Sequence, residues 1–100
     1  MKRLLPADRK ALLLEAALLT AQAKGYRRMT RDDISQRAGT SPSLVSLYLG
    51  AMPALRQSVM REAVKREIVA IVAEGLAERD PRAMKASDAL KRKAAAELTR

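Results

Sequence analysis

The chain contains no cysteine, no histidine, no tryptophan and no phenylalanine, and its aromatic residues are two tyrosines. Without cysteine there are no disulfides and no thiolate metal sites, and without histidine the commonest metal ligand and general base is gone. No apolar run approaches the roughly 20 residues that span a bilayer. The basic stretch at residues 1–6 is not followed by the continuous apolar segment of a secretory signal. A soluble, cytoplasmic protein is therefore expected, with no cofactor, no metal and no membrane partner. What is plentiful is alanine, 19 of 100 residues. Alanine is the best helix former and a poor strand former, so an all-α bundle is expected. One hundred residues provide for one small core.

Twenty Lys and Arg against eleven Asp and Glu leave a net charge of +9. A chain this basic is drawn to polyanions, because each neutralised phosphate releases counterions. The excess is uneven: residues 1–28 carry a net +5, residues 29–60 +1, residues 61–80 −1 and residues 81–100 +4. The basic ends read as electrostatic guides, and the balanced third quarter reads as a packing or partner-facing helix. For the last twenty residues a merely solvated helix face is an equal alternative.

About five helices follow from the spacing of apolar residues and the start and stop signals. Asp8 can cap a first helix over residues 9–24, with Leu12, Ala16, Leu19 and Ala23, flanked by Leu13 and Ala17, as its inner face and Gly25 as its stop. Pro53 opens a fourth helix that can continue to Arg79, roughly 40 Å at 1.5 Å per residue. Its first half carries Leu55, Val59, Met60, Ala63 and Val64, enough to complete a small core. Its second half carries Ile68, Val69, Ile71, Val72 and Leu76, a strip expected to outlast that core and to form a dimerisation surface. Asp80 and Pro81 then break the chain and open a fifth helix through Met84, Leu90, Ala94 and Leu98. That helix folds back on the fourth helix of its own chain or of a second copy. Two regions are expected: residues 1–64, and a helical extension over 65–100.

Residues 30–49 carry the strongest local signal. Thr30 can cap a short helix, with Asp33 where a capping-box acid sits, and Ile34 and Ala38 share one buried stripe. Gly39 follows, at the position where a left-handed residue reverses the chain. Ser41 and Pro42 are a second start, a capping hydroxyl and then proline at the first helical position. Val45 and Leu49 repeat the four-residue spacing inward. Two short helices on a glycine turn form a helix-turn-helix, which presents its second helix to the DNA major groove.

With Lys24-Gly25-Tyr26, Thr30, Asp33-Ile34, Arg37-Ala38-Gly39, Ser41, Tyr48, Leu49-Gly50 and Ala54-Leu55 in view, residues 10–64 resemble the DNA-binding domain of the tetracycline-repressor (TetR) family. The resemblance implies a homeodomain-like domain at the amino end, a dimer on a palindromic operator, and repression of transcription. It also implies that Thr30, Arg31 and Tyr48 touch phosphates and that residues 40–47 lie against base edges. Two departures are visible. Family members usually continue for a hundred or more residues to form a ligand pocket, so a small-molecule inducer is not expected for this chain. Met52 stands where the family commonly has a phosphate-binding lysine, a loss that Arg27, Arg28 or the basic ends could offset.

With Val45 and Leu49 inward, Ser43, Leu44, Ser46 and Leu47 must face outward or sideways. Thr40, Ser41, Ser43, Leu44 and Leu47 are the candidate base contacts, the leucines against thymine methyl groups. Arg27, Arg28, Thr30, Arg31, Ser46 and Tyr48 are the candidate phosphate contacts. No Arg, Lys, Asn or Gln occurs between Thr40 and Leu49, so this helix lacks the strongest bidentate base readers. The bland alternative is that Leu44 or Leu47 packs on a neighbouring helix or subunit. An enzyme is not expected: Asp32 and Asp33 diverge by about 100° on a helix, and the serines lack a histidine base. The rival reading is a small helical adaptor that binds another protein through the strip at residues 68–76.

Overall fold

Pro6 sets the start of the first helix, because its fixed φ suits the first helical position and its missing N–H would be unbonded there in any case. The computed structural model describes residues 5–99. These form seven helices and no strand: α1 (Pro6–Lys24), α2 (Arg31–Ala38), α3 (Pro42–Leu49), α4 (Met52–Arg66), α5 (Val69–Ala77), α6 (Pro81–Met84) and α7 (Asp88–Leu98). Asp8 is therefore not the cap of α1. It lies in the first turn, where a negative charge is favoured by the helix dipole.

The buried face of α1 consists of Leu13, Ala16, Ala17, Leu18, Thr20 and Ala21. Leu13, Ala16 and Ala17 are as expected. Leu12 and Leu19, expected inside, are 55% and 45% exposed, and Ala23 is exposed as well. The leucine-rich sequence offers two stripes of helical spacing about 100° apart, and periodicity alone does not choose between them. Packing against α2, α3 and α4 makes the choice.

The expected long fourth helix is instead two. Glu67 adopts a left-handed conformation (φ 57°, ψ 46°), the Ile68 N–H donates to the Ala63 carbonyl at 2.9 Å, and the Glu67 N–H donates to the Val64 carbonyl at 3.2 Å. This is the double hydrogen bond of a Schellman helix end. The same device ends α5, with Arg79 at φ 58° and Asp80 N–H donating to the Gly75 carbonyl at 2.8 Å. A left-handed residue other than glycine costs about 1–2 kcal/mol. The turn at Glu67 brings α5 back onto the bundle and buries Ile71, Val72 and Ala73, whose transfer from water outweighs that cost.

Two residues of the strip expected at a dimerisation surface, Ile71 and Val72, are thus core residues of the single chain. Ile71 and Val72 are fully buried, while Ile68, Val69 and Leu76 are partly buried and packed on the same core. The cover is α7, which makes the most extensive helix contact in the molecule with α5. The fifth helix expected after Pro81 is also two. Asp80 caps α6, its Oδ1 accepting from the Arg82 and Ala83 N–H groups at 2.8 and 3.4 Å. Ser87 caps α7, its Oγ accepting from the Leu90 N–H at 3.1 Å. Ala83, Ala86, Leu90 and Ala94 pack inward, whereas Met84 and Leu98 are exposed. One cluster of buried residues runs from Leu13 to Ala94, and the boundary expected after residue 64 falls inside α4.

Gly75 shows how closely α4, α5 and α6 approach. A Cβ there would lie 2.5 Å from Met60 Cε and 2.9 Å from Ala83 Cβ. The methionine end can swing away, but the alanine methyl is fixed to its backbone. Gly75→Ala gains up to about 1 kcal/mol of helix propensity and incurs roughly 1–3 kcal/mol of overpacking. A net loss of stability is expected, read as a lower urea midpoint with unchanged slope.

Candidate nucleic-acid interface

Thr30 and Asp33 build the start of α2 reciprocally. The Thr30 Oγ1 accepts from the Asp33 N–H at 3.1 Å, and the Asp33 Oδ2 accepts from the Thr30 N–H at 3.0 Å. Lys24 Nζ, at the end of α1, donates to the Asp33 Oδ1 at 2.6 Å and ties the two helices together. The hydrogen bonds from Lys24 and then Thr30 hold the Asp33 carboxyl below its usual range. A depressed folded-state pKa gives stability that is present above the unfolded value and lost as pH falls through the folded one. The α1–α2 junction is therefore expected to loosen on acidification below the ordinary carboxylate range. Comparing acid unfolding of the native chain and Asp33→Ala checks this: the variant should show a shallower acid dependence.

The turn between α2 and α3 rests on Gly39, at φ 69° and ψ 36°. An added Cβ would meet nothing within 4 Å, so the demand for glycine is one of conformation and not of space. Ser41 then caps α3, its Oγ accepting from the Leu44 N–H at 3.2 Å, with Pro42 at the first helical position. Val45 and Leu49 are buried. The opposite side is bare: Ser43 is exposed and Leu47 is 73% exposed, while Leu44 and Ser46 are half-buried at the edges.

The other candidate contacts are distributed around this face. Thr40 is half-buried and Ser41 exposed, at the entry to α3. Thr30 and Ser41 use a hydroxyl oxygen as cap acceptor, which leaves each O–H able to donate outward. Arg28 is exposed. Arg31 is half-buried, and its Nε is enclosed without a hydrogen-bond partner. Tyr48 is half-buried and packs against the core, so its ring serves structure as well as surface. Arg27 Nε lies 3.5 Å from Glu78 Oε1, a mostly solvent-screened pair.

The segment carrying Arg27 and Arg28 is clamped by groups that sequence reasoning missed. Glu74, on α5, accepts from the backbone N–H groups of Tyr26 and Arg27. Tyr26 O–H donates to the Arg56 carbonyl at 3.1 Å. The Arg56 guanidinium donates to the Arg27 carbonyl at 3.1 Å and lies 5.7 Å from the Tyr26 ring centre. Burial and then the nearby Asp80 push the Tyr26 hydroxyl up to about 12. One signal could have exposed Glu74: it is the single charge in the otherwise apolar sequence of α5. Arg9 was missed as well. The fold brings it from α1 into the lining of a groove shared with Thr40 and Leu44.

Among the described residues no group of three or more acidic side chains is placed to hold a metal ion, and no helix is long and apolar enough to cross a membrane. Comparison with protein-family models, curated proteins and solved structures finds no match to this chain.

Proposed function

We propose that this chain is a sequence-specific DNA-binding transcriptional regulator, a small repressor whose α2 and α3 act as a helix-turn-helix. The observation that carries the reading is the bare side of α3, where Ser43 and Leu47 stand in solvent while Val45 and Leu49 anchor the helix beneath them. An exposed leucine on a capped, well-anchored helix has a use where thymine methyl groups are read, and flanking serines suit phosphates and base edges. Thr30, Arg28 and Arg31 surround the start of α2 and supply donors to the phosphate backbone. The net charge of +9 provides the sequence-independent attraction.

The TetR-like resemblance supports the same reading, and with it a dimer on a palindromic operator. Half-sites are then roughly 34–36 Å apart or a multiple of that. Ile71 and Val72 lie in the monomer core, so two copies would pair through another surface. The adaptor alternative relied on the strip at residues 68–76 as its docking face, and α7 occupies it.

Selection of bound sequences from random duplexes at fixed salt tests the proposal. A defined consensus is expected to emerge over successive rounds. Binding that stays equal for all sequences would reduce the chain to a non-specific polycation.

A further inference from the structure

The recognition side of α3 has no side chain able to grip a guanine with two parallel donors. Between Thr40 and Leu49 it offers hydroxyls and hydrocarbon, and the commonest specific contact to DNA, a bidentate fork on the O6 and N7 of guanine, is beyond them. The fold places such a fork beside it. Arg9 and Leu12 of α1 line an open groove of about 240 Å³ together with Gly39 and Thr40 of the turn and Leu44 of α3. The groove is smaller than the roughly 300–1,000 Å³ of a small-molecule pocket.

Arg9 is half-buried there, and its guanidinium has no hydrogen-bond or ion-pair partner among the described residues. Several other arginines are already committed. Arg66 bridges Glu15 and Glu62, Arg27 faces Glu78, and Arg56 holds the Arg27 carbonyl. The Arg66 pair also engages Glu15, one of the two carboxylates on Arg9's own helix. Arg9 thus keeps its donors unspent while it lines the groove with two candidate base contacts.

We propose that Arg9 is a specificity-determining residue: from outside the two-helix unit it supplies the bidentate donor that α3 lacks, reading one guanine at the edge of the bases faced by Thr40 and Leu44. This rests on the DNA-binding reading above and names a contact that the reading does not require.

The test repeats the duplex selection with Arg9→Lys and Arg9→Ala, circular dichroism confirming that both keep the native helicity. Lysine preserves the charge and loses the fork. The native chain is expected to select a guanine at one position that both variants treat as indifferent, a loss of roughly 5- to 150-fold in preference there. Replacing that base by 7-deazaguanine, which lacks the N7 acceptor, should weaken the native chain and leave Arg9→Ala unchanged. The proposal is overturned if Arg9→Lys keeps the guanine preference. It is equally overturned if Arg9→Ala weakens all duplexes alike with a salt slope smaller by about 0.9, the mark of a phosphate contact, or if both variants match the native chain. Failure of the native chain to select any sequence is a separate result, and it removes the DNA reading itself.

Discussion

Ile71→Ala should lower the unfolding free energy by about 2–5 kcal/mol, the range for emptying a buried isoleucine site. A domain of this kind has roughly 5–15 kcal/mol in total, so the substitution removes a large share of it. The size of the effect follows from where the residue lies. Ile71 is fully buried on α5, which packs against α4 and α7, and a core side chain cut back to alanine leaves a cavity that its neighbours only partly fill. Urea unfolding at two well-separated protein concentrations is the measurement. A core residue gives the same loss at both. A residue at a dimer seam gives a stability that rises with concentration, because association favours the folded state by mass action.

Leu44→Ala and Leu47→Ala should each weaken binding to the selected duplex more than to random duplex, by up to ~1–3 kcal/mol per altered base contact. The two substitutions differ in what else they disturb. Leu47 is the most exposed large apolar residue described, so its removal leaves no cavity and its effect on stability should be small. Leu44 lines the groove with Arg9 and Leu12, so part of its loss should appear in the melting temperature. Anisotropy titrations on both duplexes, beside thermal melts of the free chain, separate these contributions. Equal losses on the two duplexes would mean that the leucines position α3 and do not read bases.

The two-helix unit was legible in the sequence because each of its boundaries is written by a residue with one local use. Thr30 and Asp33 form the expected reciprocal cap, Gly39 takes the left-handed turn, Ser41 and Pro42 start α3, and Val45 and Leu49 point inward. These are short-range effects of backbone hydrogen bonding and sterics. The break at Glu67 was not legible, because no glycine or proline marks it. Its left-handed turn is imposed from a distance by the burial of Ile71 and Val72 beneath α7. The face of α1 was half legible for a related reason: Leu12 and Leu13 are equal by spacing, and tertiary packing decides which is covered. In the candidate site, the residues on α3 were read from their own helix. Arg9 and Glu74 were invisible because they reach the site from α1 and α5, through contacts that no local spacing encodes.

If the chain is the proposed DNA-binding regulator, the bare side of α3 is the surface that meets DNA. Backbone amide shifts of the isotope-labelled chain, followed by NMR as the selected duplex is added, test it most directly. The largest changes are expected at residues 40–48 and 27–31, with the α5 core around Ile71 and Val72 unmoved. Changes concentrated on α7, with Ser43 and Leu47 unaffected, would contradict it.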